Sequence, residues 1–155
     1  ATLRISHAIL QRRKPDKPFT IVFVSSLAAL FPMPLKATYA ASKRFLLDFA
    51  ISLRQELKNK NVNVLTLCPG GMVTTQNTLY SIKAQGFWGD ITINPLEIVA
   101  RNTIEHALNG KNIYIPGKLN WLLSLVAKIM PRQWMAAIIY KRWNYAQSKW
   151  LNNKF

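Results

Sequence analysis

Two short apolar runs, separated by a long amphipathic segment, constrain this chain more than any other feature. The runs are Thr20–Val24 and Val62–Leu67, both rich in β-branched residues. Runs of this kind are typical of strands that are buried on both faces of a sheet. Between them, Ala37–Asn59 repeats large apolar residues at every fourth position, which predicts a helix with one apolar face. The repeat consists of Phe45, Phe49, Leu53 and Leu57.

The alternation of helix and strand continues on both sides of this unit. In a helix predicted at the N-terminus, Leu3, Ile9 and Leu10 are the expected core contacts. Strands that alternate with helices indicate right-handed crossovers and a parallel sheet covered on both faces, an α/β fold. The remaining predicted elements are a helix at Ala1–Arg13, an irregular stretch at Thr74–Ile93, a helix at Pro95–Asn109 with Asn94 as N-cap, and a strand at Asn112–Ile115.

Three strands make a thin sheet for a chain of 155 residues in which half of the residues are apolar. That apolar content excludes a disordered chain. A parallel sheet of three strands leaves an outer edge unpaired, and the first predicted helix has no strand before it. We therefore expect a doubly wound parallel sheet whose N-terminal half is missing from this sequence.

Polar residues follow the first predicted strand and open the long helix. Ser26 lies just beyond the strand, and ligands of doubly wound sheets bind outside the carboxyl ends of the strands. Tyr39 and Lys43 are four residues apart and therefore share a helix face. An ammonium beside a phenol stabilises the phenolate, so the tyrosine can exchange a proton near neutral pH. Because no side chain carries hydride, alcohol–carbonyl chemistry here implies a nicotinamide cofactor.

Taken together, these motifs resemble the short-chain dehydrogenase/reductase family over about residues 1–117. The resemblance implies a Rossmann-like doubly wound fold and an oxidoreductase that interconverts an alcohol and a carbonyl. It also implies an NAD(P)(H) cofactor, with the choice between NAD and NADP open. The segments that carry it are Ile21–Ser26, the Tyr-Ala-Ala-Ser-Lys motif at Tyr39–Lys43, Ser52–Leu57, Val62–Gly70 and Thr74.

The resemblance implies a role for each site residue. Ser26 orients and polarises the substrate oxygen, Tyr39 is the general acid/base, and Lys43 supports Tyr39 and binds the nicotinamide ribose. The turn after the second strand lines the cofactor, and the segment 75–93 corresponds to the lid over the substrate. Aromatic residues in this lid favour a hydrophobic substrate: Tyr80, Phe87 and Trp88. The implied cofactor-binding residues are Tyr39, Lys43, Pro69, Gly70, Met72 and Thr74.

The sequence also departs from the family pattern. Nothing in it matches the glycine-rich dinucleotide loop, since its only adjacent glycines are Gly70 and Gly71. The family's catalytic asparagine would fall before Ala1. We therefore expect these 155 residues alone to leave the cofactor's pyrophosphate unbound and to be inactive. The alternative is a non-catalytic remnant that serves as a membrane-associated or oligomerising module.

The positive charge is concentrated near the C-terminus. The net charge is +15, and the last acidic residue is Glu105. We divide the chain into the catalytic part, residues 1–117, and a basic helical tail, residues 118–155. In the tail, one helix face is formed by Met135, Ile139, Trp143, Ala146 and Trp150. Three roles stay open for the tail: packing on the catalytic part or a partner subunit, binding an anionic membrane surface, and binding nucleic acid. The last is disfavoured because no nucleic-acid motif accompanies the charge.

Further features bear on location and assembly. A single cysteine, Cys68, cannot form an internal disulfide, and the first residues lack a signal-peptide pattern. We therefore expect a cytoplasmic protein, with peripheral membrane association as an alternative. Cys68 is interpreted as a packed residue. His7 and His106 are far apart in the sequence, so no metal site is expected. The family resemblance implies a homo-oligomer that associates through the helix at residues 37–59.

Overall fold

The chain forms a three-stranded parallel sheet in the order β1-β2-β3. The computed structural model describes residues 1–83 and 86–152. β1 is Phe19–Val24, β2 is Val62–Leu67 and β3 is Ile113–Tyr114. β1 and β2 pair along their whole length, with Phe19 beside Val62 and Val24 beside Leu67. This arrangement confirms the predicted α/β class with a parallel, Rossmann-like sheet.

Seven α-helices surround or extend the sheet in the described residues, and a short 3₁₀ helix follows β1 at Leu27–Leu30. Within the same residues, no helix combines the length and apolar character needed to cross a membrane. The helices are α1 Thr2–Arg12, α2 Ala37–Glu56, α3 Gln76–Lys83, α4 Phe87–Ile91, α5 Leu96–Leu108, α6 Lys118–Ile129 and α7 Arg132–Asn152.

The core lies between α2 and the sheet. Successive residues of a strand point to opposite faces, and both Val64 and Leu65 of β2 are fully buried, so β2 is covered on both sides. Phe23 of β1 joins Val64 in one cluster with α2. Phe49 of α2 meets Phe23 edge to face, with ring centroids 5.6 Å apart. α5 also packs on β1 and β2.

The predicted burial of β1 and α1 is partly wrong. Val22 and Val24 of β1 are exposed, because β1 is the outer strand of the described sheet. Leu10 packs against the core as expected, whereas Leu3 and Ile9 are exposed. No described strand lies beyond β1, so the first turns of α1 have no sheet surface to cover.

The segment predicted to be irregular, residues 74–93, contains two helices instead. The Thr75 hydroxyl accepts a hydrogen bond from the Thr78 amide at 3.2 Å, a side-chain bond that supports the start of α3. Gly86, with φ +58°, then separates α3 from α4. This segment lacks the apolar periodicity that reveals a helix, which explains the wrong prediction. The side chains of Phe87 and Trp88 lie outside what the structure describes.

The predicted cap of α5 is also wrong. Asn94 does not cap the helix; its side-chain amide donates to the Thr92 carbonyl at 3.1 Å, and α5 follows Pro95 without a side-chain cap. α2 ends at Glu56, three residues before its predicted end. β2 begins after Asn61, whose φ of +55° reverses the chain direction between the helix and the strand.

Candidate active site

Lys43 is fixed to the carboxyl end of β1 by two hydrogen bonds. Its ammonium nitrogen, Nζ, donates to the Val24 carbonyl at 3.1 Å. The buried Ser25 hydroxyl donates to the Lys43 carbonyl at 2.7 Å. Together these bonds hold the helix that carries Tyr39 and Lys43 against the end of the strand. This role of Ser25 was not predicted from the sequence, because a function was assigned only to the next residue, Ser26.

Ser26 caps the 3₁₀ helix that follows β1. Its Oγ accepts a hydrogen bond from the Ala28 amide at 3.1 Å. A hydroxyl that accepts one bond still has its own proton to donate. The cap therefore fixes the position of Oγ and leaves the Ser26 O–H free to meet an acceptor, such as a carbonyl oxygen.

Tyr39 lies one helical turn before Lys43. The Lys43 Nζ is 5.8 Å from the centroid of the Tyr39 ring. The Tyr39 side chain is 47% exposed, so its hydroxyl group is not sealed inside the core. The structure thus brings Lys43, Tyr39 and the Ser26 loop together at one end of β1, where the fold places ligands.

The turn after β2 lies beside the same loop. The Leu27 amide donates to the Pro69 carbonyl at 2.8 Å, and the Ser25 amide donates to Leu67 at 2.8 Å. Two predicted cofactor residues follow this turn, before α3 begins. Met72 is half-buried and Thr74 is exposed. Pro69 is therefore the predicted cofactor residue that the structure joins directly to the serine loop.

Gly70 sits in a space that admits no side chain. A Cβ atom there would lie 2.5 Å from the Thr92 carbonyl oxygen and 2.6 Å from the Asn120 side-chain nitrogen. Asn120 belongs to α6, is almost completely buried, and donates to the Pro116 carbonyl at 2.8 Å. The tail thus supports the turn after β2, a contact that the sequence did not reveal because an asparagine in a helix carries no such signal.

A second contact links the tail to the residue that precedes α2. The Lys36 Nζ, one residue before α2, lies 3.9 Å from the centroid of the Trp143 ring. Burial lowers the pKa of Lys36. Met135 of α7 is buried and Ile139 is half-buried, so the predicted apolar face of this helix turns inward, with Lys141 and Asn144 outward. The side chains of Ala146 and Trp150 lie outside the described set.

Cys68, at the end of β2, is a packed residue. It is completely buried beside Ala29 and Leu47. Burial raises the pKa of the Cys68 thiol to about 11, against weaker lowering by hydrogen bonds to Ser25 and Ser26. The thiol is therefore protonated at neutral pH, which argues against a nucleophilic role. Across residues 1–83 and 86–152, no group of three or more metal-ligating side chains is found.

Comparison with known proteins identifies the family. The short chain dehydrogenase family matches residues 1–84, more than half of the chain. The chain therefore belongs to the short-chain dehydrogenase family. The match includes β1, Ser26, the Tyr39–Lys43 motif and the turn after β2.

Relatives with curated names agree with this assignment. A dehydrogenase/reductase SDR family protein 7-like of Drosophila melanogaster is 42% identical over 66 residues, covering 43% of this chain and 20% of the relative. Estradiol 17-beta-dehydrogenase 2 of Mus musculus is 25% identical over an alignment of 171 positions, covering 90% of this chain and 45% of the relative. The chain thus spans less than half of the length of these relatives.

A solved structure has the same fold. A 4-hydroxyisoleucine dehydrogenase mutant complexed with NADH and succinate superposes with a TM-score of 0.54 at 19% identity. The match covers 76% of this chain and 54% of that chain. At this identity the similarity establishes the architecture alone.

Proposed function

We propose that these residues form the proton-transfer part of an oxidoreductase that interconverts an alcohol and a carbonyl. One observation carries the proposal: Lys43 donates to the end of β1 while sharing a helix face with Tyr39, beside the capped Ser26. A purely structural helix has no need for a lysine, an accessible tyrosine and a serine hydroxyl at the same strand end. Family membership supports the same reading.

Each of the three residues has a distinct role in the proposed reaction. In the reducing direction, the Tyr39 hydroxyl gives its proton to the carbonyl oxygen of the substrate, and in oxidation it takes the proton back. The Ser26 O–H donates to the same oxygen and stabilises the charge that develops there. The Lys43 ammonium stabilises the phenolate that forms when Tyr39 loses its proton.

The donor set of the site fits the nicotinamide end of a cofactor. An ammonium has three protons, and the Val24 carbonyl uses one, so Lys43 keeps donors for the ribose hydroxyls. We assign Tyr39, Pro69, Gly70, Met72 and Thr74 to the same half of the cofactor, NAD or NADP. When bound, the nicotinamide supplies or accepts the hydride that no side chain can carry.

The sequence contains no motif that would bind the other half of the cofactor. It contains no glycine-rich turn between a strand and a helix, the structure that binds a pyrophosphate. We therefore propose that the 155 residues act as part of a larger catalytic unit. A non-catalytic module is the second candidate, favoured by this same absence.

A hydrophobic alcohol or ketone is the proposed substrate. Support comes from the aromatic Tyr80 of α3, which is exposed within the segment assigned to the lid, and from the apolar residues of the tail. The name of the mouse relative, an estradiol dehydrogenase, points to the same class of substrate. Reduction of aliphatic keto acids in preference to steroid-like ketones would contradict this assignment.

The outer face of α2 is the proposed contact between two copies. Phe45 is exposed and stacks on Phe49 with nearly parallel rings, and Ile51 is exposed on the same helix. Exposed aromatic residues on a helix favour association. Sedimentation should therefore show a dimer that Phe45→Lys converts to a monomer. A monomeric wild-type protein would contradict the proposal.

The variant Lys43→Met tests the proposed function. Its steady-state kinetics are measured in a protein in which these residues follow a glycine-rich nucleotide-binding half. The change keeps the length of the side chain and removes its charge. We expect kcat to fall by about 100-fold or more, with a raised KM for the nicotinamide cofactor. Lys58→Met, at an exposed lysine beyond α2, is the matched control and should leave both constants unchanged. Equal kinetics for the two variants would overturn the proposal.

A further inference from the structure

The helix α6 buries two polar residues and exposes a stripe of apolar ones. Asn120 is 1% exposed and Ser124 is 4% exposed, so these two polar side chains face inward. The apolar side faces outward, and its last residue, Ile129, is 86% exposed. A helix on a protein surface normally buries its apolar stripe and exposes its polar one. The exposed stripe consists of Trp121, Leu122, Val126 and Ile129.

The inward polar residues of α6 donate hydrogen bonds to nearby carbonyls, although the buried side-chain oxygen of Asn120 has no partner among the described residues. The Asn120 amide donates to the carbonyls of Pro116 and Thr92, at 2.8 and 3.3 Å. The Ser124 hydroxyl donates to the Trp121 carbonyl at 2.6 Å. Of these bonds, only the one to Thr92 joins α6 to a distant segment of the chain. This bond and the closeness of Asn120 to Gly70 tie the inward side of α6 to the turn after β2. The outward apolar stripe is therefore a consequence of how α6 supports the turn after β2.

The next helix continues the exposed apolar surface. Trp134 is 69% exposed and Tyr145 is 72% exposed, with Ile138 exposed between them. These residues occur at helical spacing, and Lys141 lies on the same face. α6 and α7 meet at the short connection 130–131, so Ile129 and Trp134 flank one corner of the molecule. A patch of this kind marks an interaction surface.

The charged residues of α6 and α7 have one sign. Lys118, Lys128, Arg132 and Lys141 all lie in or beside the patch, and the sequence contains no acidic residue after Glu105. Lysine is depleted at the centre of protein–protein interfaces. Tryptophan and tyrosine combined with lysine and arginine are instead typical of surfaces that lie at the boundary of an anionic bilayer.

We propose that the corner formed by α6 and α7 binds the surface of an anionic phospholipid bilayer. Ile129, Trp134 and the exposed stripe of α6 enter the boundary between headgroups and acyl chains, while the basic residues contact lipid phosphates. A shallow groove of about 610 Å³, largely open to solvent, adjoins the stripe and offers room for part of an acyl chain; it is lined by Tyr114, Ile115, Lys118, Trp121 and Leu122 among others. The inference is independent of the proposed catalytic function.

The first test is cosedimentation of the 155-residue chain with vesicles of phosphatidylserine and phosphatidylcholine, or of phosphatidylcholine alone. We expect binding to the anionic vesicles, weakened by salt. The triple variant Leu122→Gln, Val126→Gln, Ile129→Gln should lose about tenfold or more in affinity. The matched control is Ile104→Gln with Leu108→Gln, two exposed apolar residues on α5 near Glu105, which should bind like the wild type. Circular dichroism checks that both variants fold.

Other outcomes would overturn the proposal. Absence of wild-type binding to anionic vesicles excludes it directly. If the triple variant binds as well as the wild type while Lys128→Gln with Arg132→Gln abolishes binding, the attraction is electrostatic only and the apolar stripe has no part in it. If the triple variant instead abolishes self-association of a protein that ignores vesicles, a second copy covers the stripe.

A site-specific probe locates the contact. Because Cys68 is completely buried, Ile129→Cys can be labelled selectively with an environment-sensitive fluorophore. The emission of this label should shift to the blue on addition of anionic vesicles, whereas a label at Leu108→Cys should not respond. An equal response at the two positions would contradict the assigned surface.

Discussion

Ser25 and Ser26 follow each other at the end of β1 and make different hydrogen bonds. The Ser25 hydroxyl is buried and donates to the Lys43 carbonyl, so it joins the strand to the helix. The Ser26 hydroxyl accepts from the Ala28 amide and keeps its proton for another acceptor. The first serine positions the site, and the second is the one proposed to meet the substrate oxygen.

Alanine substitutions should separate the two serines. Ser25→Ala removes a buried hydrogen bond and should lower the free energy of unfolding by about 1 kcal/mol, with a loss of turnover below about tenfold. Ser26→Ala should cost about 100-fold in turnover, since it removes a donor to the developing charge, and about 1 kcal/mol of stability as a lost cap. Denaturant unfolding and steady-state kinetics check both; the reverse ranking of turnover would contradict the assignment of Ser26.

The relative placement of the proposed site residues could be predicted from the sequence because their spacing is local. Tyr39 and Lys43 belong to one helix, and Ser26 directly follows a strand, so short-range geometry already places them. Asn120 and Trp143 could not be found in the same way. They reach Gly70 and Lys36 only through the packing of α6 and α7, which periodicity does not specify.

At the scale of elements, the turn after β2 depends on the packing of α6. Gly70 is pressed between the Thr92 carbonyl and Asn120, while the neighbouring Gly71 would place a Cβ 3.3 Å from the flexible end of Ile82. The β2 strand itself was predicted with its bounds correct, because six apolar-rich residues end at a Pro-Gly pair. Helices α3 and α4 were missed because they depend on a threonine side chain and a glycine break rather than on an apolar stripe.

Gly70→Ala should therefore destabilise the protein far more than Gly71→Ala. At Gly70 the new methyl group meets a backbone oxygen that cannot move cheaply, so we expect a loss of about 2–3 kcal/mol in the free energy of unfolding. At Gly71 the side chain of Ile82 can give way, and the loss should stay below about 1 kcal/mol. Chemical denaturation measures both variants. Equal losses would show that the Thr92 carbonyl and Asn120 do not close the space at Gly70.

For the whole molecule, the exposed edge of β1 agrees with the predicted thin sheet. Val22 and Val24 of β1 and Leu3 of α1 are exposed, although their sequence pattern is that of buried residues. The sequence predicts whether a segment is apolar and whether it forms a helix or a strand. Burial depends in addition on the elements that pack beside that segment. The same distinction applies to α6, whose apolar residues Leu122, Val126 and Ile129 are exposed.

The cofactor assignment leads to a prediction for the isolated chain. With Lys43 and Tyr39 present but no glycine-rich turn, the 155 residues should bind NADH or NADPH only at millimolar or weaker affinity. Calorimetric titration with each dinucleotide checks this. Micromolar affinity for either dinucleotide would mean that the 155 residues bind the pyrophosphate without a glycine-rich turn, contrary to the cofactor assignment.

Replacement of Tyr39 by phenylalanine is the most direct test of the proposed proton transfer. In a protein completed by a nucleotide-binding half, Tyr39→Phe removes one oxygen and keeps the ring beside Lys43. We expect turnover of a hydrophobic ketone to fall by about 100-fold or more, with cofactor affinity almost unchanged, while Tyr140→Phe, at an equally exposed tyrosine of α7, behaves like the wild type. Turnover of Tyr39→Phe at the wild-type rate would show that another group supplies the proton and would contradict the account of this site.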